Sequence, residues 1–162
     1  MMENVDDRIA LIDEFRRFPD ELAQLIADLG AEQLTQRPIQ DEWSVAQNIH
    51  HVADSHMNSY VRCKLMATEF NPTFRPYDEK LWAELPDGSD PDIAMSLRLL
   101  QALHARWVRF WEQLDEDGWR RTGTHPESGP VTLEDQLRLY VSHGRAHLAQ
   151  IQRVLAAQGA RS

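Results

Sequence analysis

Cysteine is nearly absent from this 162-residue chain: Cys63 stands alone. A single thiol excludes an internal disulfide framework and fits a reducing compartment. Set inside a helical pattern, it reads as a small buried hydrophobe rather than a nucleophile or a ligand. An excess of positive charge is missing too. Seventeen Lys and Arg face 26 Asp and Glu, a formal net charge of −9. The local basic cluster Arg120-Arg121 is too small to grip a polyanion, so nucleic-acid binding as the main role is set aside. No uncharged apolar run approaches the roughly 20 residues that span a bilayer. The opening Met-Met-Glu-Asn-Val-Asp-Asp is acidic, with neither a basic nor an apolar region, so no secretory signal is expected and the protein reads as cytoplasmic. Stretches that alternate apolar and polar residues over five or more positions are lacking as well, which leaves little for a sheet.

What is present is helical periodicity. With 42% hydrophobic and 27% charged residues, the chain reads as one soluble domain over residues 1–162. Four long amphipathic segments are expected. The first runs from about Asp6 to Leu29, with Pro19 either kinking it or dividing two abutting helices, and Gly30 ending it. The second starts at Ser44, where Ser44 and Gln47 form a capping box, and reaches Phe70 before Asn71-Pro72. The third starts near Pro91 and carries Ile93, Leu97, Leu100, Leu103, Trp107, Trp111 and Leu114. The fourth spans Thr132 to Gln158, with Asp135 completing a weaker cap. Four such helices predict an all-α four-helix bundle. The connection from Phe70 to Asp90 is long for a bundle, pointing to a crossover, a lid or a short helix around Tyr77 to Leu85. Arg121 to Val131 reads as an irregular turn over one bundle end.

The chemistry lies in the histidines. His143 and His147 stand four residues apart, so on a helix their imidazoles share one face, one turn apart, and can grip one divalent metal. A third ligand must come from another helix, and Ile49 to His56 supplies His50, His51 and His56. Three neutral imidazoles would leave a position open for water or substrate, as in catalytic zinc sites. The plain alternative is a pair of solvated surface histidines. Periodicity places His56 in the apolar stripe and His51 on a polar face with Asn48, Ser55, Asn58 and Arg62, and does not choose among the candidates. Asn58 and Arg62 are candidates for contact with a polar or anionic substrate. His104 lies in the stripe of the third helix, as a satisfied core histidine or, alternatively, a substrate-facing one. His125 reads as surface or pocket rim. Asp54 points too far from His51 to act as a base, and no Glu beside the ligands matches that of a His-Glu-x-x-His motif.

The run Trp43-Ser44-Val45, then His50-His51-Val52-Ala53-Asp54-Ser55-His56-Met57-Asn58-Ser59-Tyr60, resembles the YfiT-like branch of the DinB-like superfamily. Arg75-Pro76-Tyr77-Asp78, Leu103-His104-Ala105-Arg106-Trp107, His125-Pro126, Tyr140-Val141-Ser142-His143 and His147-Leu148-Ala149 continue the resemblance in order. It implies a metal-dependent hydrolase on a four-helix bundle, often homodimeric, with one metal per chain held by His51, His143 and His147. A related branch implies transfer of low-molecular-weight thiols such as bacillithiol to electrophiles. The family often has more histidines near the last ligand, where this chain has Gly144, Arg145 and Ala146. Zinc best suits an all-imidazole site, with nickel as an alternative. The expectation is therefore an enzyme acting on a small cytosolic molecule, hydrolase or thiol S-transferase. A non-catalytic metal-binding dimeric bundle is the competing class.

Overall fold

The computed structural model describes residues 2–160. Met1, at the head of the acidic stretch considered for signal character, lies outside them, as do residues 161–162. Four long helices dominate: α1 (Met2–Leu25), α3 (Val45–Thr68), α5 (Ala94–Glu112) and α7 (Leu133–Gly159). Between them lie the short helices α2 (Ala31–Thr35), α4 (Glu79–Ala83) and α6 (Glu116–Trp119) and the strands β1 (Thr122–His125) and β2 (Gly129–Thr132).

Both expected capping boxes form. The Ser44 side chain accepts from the Gln47 N–H while Gln47 reaches back to the Ser44 N–H. Thr132 and Asp135 do the same for α7. Each satisfies backbone donors that the first helical turn leaves open.

Four expectations are corrected. α1 stops at Leu25 rather than Leu29, and of the two alternatives at Pro19 it is one helix rather than two abutting ones. Gly30, expected to end it, instead begins α2 with an extended backbone (φ −81°, ψ 166°). The third helix starts at Ala94 and ends at Glu112, so Leu114 lies beyond it. The turn expected over Arg121 to Val131 is an antiparallel hairpin, pairing Thr122 with Thr132 and His125 with Gly129. Its strands have only four residues each, too short for an alternating pattern, and Pro130 is tolerated because β2 has one neighbour. Within the long connection, the short-helix expectation holds: α4 forms at Glu79–Ala83, capped by Asp78, whose side chain accepts from the Lys80 and Leu81 N–H groups.

α1 and α3 each pack mainly on α5 and α7. Helices α1 and α3 are thus diagonal partners, as are α5 and α7. The apolar interior divides into two clusters. One holds Phe15, Met66, Trp107, Trp111 and Leu137; the other holds Phe18, Leu22, Ile49, Leu100 and Ile151. Cys63 is fully buried in the first, and burial drives its thiol pKa up, away from thiolate chemistry. A seam of polar groups from α3, α5 and α7 runs between the clusters.

Candidate metal centre

That seam ends in three imidazoles. His51 comes from α3; His143 and His147 come from successive turns of α7. Nε2 of His143 lies 3.3 Å from Nε2 of His51 and 3.2 Å from Nε2 of His147. One ligand nitrogen from each of the three rings lies within 4.8 Å of the others. Zinc–imidazole bonds of about 2.1 Å at ordinary coordination angles place neighbouring nitrogens about 3.0–3.4 Å apart. The two closest spacings fall in that window, so the donor set fits a divalent cation.

Electrostatics agree. Burial lowers the pKa of His51 and His143 to about 4, with His51 adding to the effect on His143. Burial, and then His143 and His51, lower that of His147 to about 2. Near neutral pH all three are uncharged, the form that ligates metal.

Other groups brace the rings. Asn48 donates through Nδ2 to the Ser44 carbonyl at 2.9 Å. Its Oδ1 is thereby turned to Nδ1 of His147, 2.8 Å away. Trp43 leans on His51 with ring centroids 4.6 Å apart and stacks beside His147 at 6.3 Å. His56, picked by periodicity as core-facing, is fully buried and approaches Nδ1 of His143 at 3.2 Å rather than joining the ligand cluster. His50 turns the other way, to the Ser96 hydroxyl and the Asp90 carbonyl, each at 2.8 Å.

Two cavities of about 620 and 570 Å³ meet at this centre, and His143, Glu79 and Lys80 line both. Glu79, on the exposed α4, brings Oε2 to 3.8 Å from Nε2 of His51. No pattern around the histidines signalled it, because it sits 28 positions beyond His51 on a separate helix. Tyr140, Tyr77 and Arg62 face the second cavity, and His125 stands at its rim. The Tyr140 hydroxyl lies 3.3 Å from that of Ser55.

Three expected substrate contacts fare differently. Arg62 lines the second cavity, donating to the Arg75 carbonyl and lying over the Phe74 ring. Asn58 lines neither cavity, and its amide bonds back to the Asp54 carbonyl one turn earlier. His104 is 2% exposed and bonds to His56 and the Phe15 carbonyl. Of the two expectations for this ring, its placement is that of the satisfied core histidine. Arg145, between the two α7 histidines, turns outward to pair with Glu14 of α1.

The comparisons with known proteins point the same way. A sequence profile of the DinB superfamily matches residues 14–151. A protein of Bacillus mycoides (strain KBAB4), named provisionally as a metal-dependent hydrolase, is 47% identical over 140 residues, covering 86% of this chain and 80% of its own. A relative from Oceanobacillus iheyensis with the same designation is 46% identical over 140 residues, covering 86% and 81%. The solved structure of YfiT from Bacillus subtilis is described as a probable metal-dependent hydrolase with an unusual four-helix bundle topology. It superposes with a TM-score of 0.91 at 39% identity, covering 95% of this chain and 89% of that one. The mycothiol-dependent maleylpyruvate isomerase shares the fold alone, with a TM-score of 0.69 at 15% identity over 89% of this chain and 60% of its own. With its profile match, its sequence relatives and its four-helix bundle in agreement, the chain belongs to the DinB superfamily as a YfiT-like member.

Proposed function

We propose that this protein is a metal-dependent hydrolase of a small cytosolic molecule, with one divalent ion, zinc before nickel, held by His51, His143 and His147. The observation that carries the reading is the convergence of three imidazoles beside two cavities, with Nε2 of His143 at metal-ligand spacing from Nε2 of both His51 and His147. A divalent ion in that position supplies Lewis acidity, lowering the pKa of a water toward about 7 or stabilising a thiolate.

The chain's own residues do the rest. Glu79 is the base: its Oε2 stands over the cluster and takes the proton that the attacking nucleophile loses. Tyr140 donates its hydroxyl hydrogen toward the substrate oxygen on which negative charge develops. Arg62 orients a polar or anionic end of the substrate in the second cavity. Trp43 covers one side of the rings and limits water there.

A second reading, thiol S-transfer to an electrophile, is favoured by the paired cavities. Hydrolysis needs room for one organic substrate, whereas thiol transfer needs room for two that meet at one centre. A protein of the same fold is mycothiol-dependent. Assembly as a homodimer belongs to the proposal and is read by sedimentation equilibrium.

The test assays zinc-loaded protein side by side on a panel of nitrophenyl esters and amides and on chlorodinitrobenzene with a small thiol. Chelator-sensitive release of nitrophenol supports the hydrolase; chelator-sensitive thioether formation supports the transferase. Rates on both panels no higher than without protein, with or without zinc, would leave only the non-catalytic bundle.

A further inference from the structure

Proline at position 19 has no N–H, so the carbonyl of Phe15, four residues earlier in α1, loses its helical donor. A buried carbonyl in that state requires another partner. Phe15 is 1% exposed, and its carbonyl accepts from Nδ1 of His104 on α5 at 2.8 Å.

That bond orders everything beyond it. A carbonyl only accepts, so the proton of His104 sits on Nδ1, and Nε2 of the neutral ring is a lone pair. Nε2 of His104 lies 2.8 Å from Nδ1 of His56. His56 is therefore the donor there, which makes its Nε2 the acceptor. That Nε2 lies 3.2 Å from Nδ1 of His143, so His143 donates in turn and keeps its lone pair on Nε2. His56 and His104 are 0% and 2% exposed, and among the described residues no carboxylate bonds either ring, so each remains neutral. Phe15 stacks on His104 with centroids 4.0 Å apart, and Phe18 lies against both rings at 5.5–5.6 Å, which holds their planes.

We propose that His56 and His104 are positioning residues: a buried imidazole relay, anchored on the carbonyl that Pro19 releases, which fixes His143 as its Nδ1–H tautomer and aims its Nε2 lone pair at the cation site. The relay is no proton exit, because it ends on a peptide carbonyl. It rests on the reading of His143 as a ligand, yet its tautomers are set in the metal-free chain, so the two ideas are separable.

Two-bond proton–nitrogen correlation spectra of metal-free, ¹⁵N-labelled protein near pH 7.5 test it directly. The expected result is Nδ1–H at His56, His104 and His143; Nε2–H at His143 overturns the relay. Zinc titration supplies the second readout. His56→Leu, which removes the acceptor, should bind zinc about 10–100-fold more weakly. His56→Gln, whose Oε1 can still accept from His143, should retain wild-type affinity. Equal affinities for these two variants overturn the proposal. Should the Leu variant fail to fold, Pro19→Ala returns a helical N–H to the Phe15 carbonyl and should introduce Nε2–H signal at His104; an unchanged spectrum contradicts the anchoring. Wild-type protein that shows the three Nδ1–H rings but takes up no zinc supports the relay and sinks the metal reading instead.

Discussion

Gly144 marks how tightly the residues around the site are packed. A Cβ there would lie 2.8 Å from Cδ2 of Phe18, the ring that lies against His56 and His104. This explains why glycine stands between His143 and His147: α1 approaches α7 too closely for a side chain. Gly144→Ala should therefore destabilise the fold by about 1–3 kcal/mol, seen as a lower thermal midpoint. An unchanged midpoint would mean that Phe18 can move freely. Glu79 lies at the opposite extreme, with its side chain 57% exposed. Glu79→Gln keeps its size and removes its basicity, so turnover of whichever substrate is found should fall about 10²–10⁴-fold at unchanged zinc content. Zinc loss in that variant would make Glu79 a ligand rather than a base.

Among the elements, the strength of each sequence signal depended on its length. The long helices were legible because apolar residues at threes and fours recur over several turns, and because Ser44 and Thr132 announce their starts. α6 and the hairpin have only four residues per element, shorter than any period that could reveal them. α4 was legible as a short helix in the long connection but not as the carrier of Glu79. Its docking over the histidines is a tertiary contact with no local signature. That helix depends on one cap. Asp78→Ala removes the acceptor for the Lys80 and Leu81 N–H groups, both at 3.0 Å. A five-residue helix without its cap should fray. We expect a clear loss of turnover with little change in thermal midpoint, measured on the same sample. A large drop in midpoint would show α4 to be part of the core.

At the scale of the whole molecule, five histidines held in or beside the core make stability depend on pH. Burial lowers the pKa of His51, His104 and His143 to about 4, of His147 to about 2, and of His56 well below 6.5. In the unfolded chain each returns to about 6.5 and binds a proton first. Stability of the metal-free protein is thus fully present above pH 6.5 and is lost as pH falls toward 4. Each proton taken up contributes about 1.4 kcal/mol per pH unit. Urea midpoints should be level from pH 7 to 8 and fall steeply between 6.5 and 4.5; a level profile throughout would contradict the burial of these rings.

The same scale explains what the sequence left open at the site. The i, i+4 spacing of His143 and His147 is a property of one helix, and it was readable. Choosing among His50, His51 and His56 required knowing which side of α3 faces α7. The apolar stripe placed His56 toward the core and His51 on a polar face beside Asn48, and did not choose between them; in the fold it is the polar face that brings His51 to His143. Resemblance named His51 where periodicity did not.

The central claim is that His51, His143 and His147 hold one metal ion per chain. Metal content of protein purified without a nickel column, compared with a His143→Ala/His147→Ala variant after zinc addition and desalting, tests it most directly. The account predicts close to one zinc per native chain and none retained by the variant. Equal zinc in both, or none in either, would contradict it.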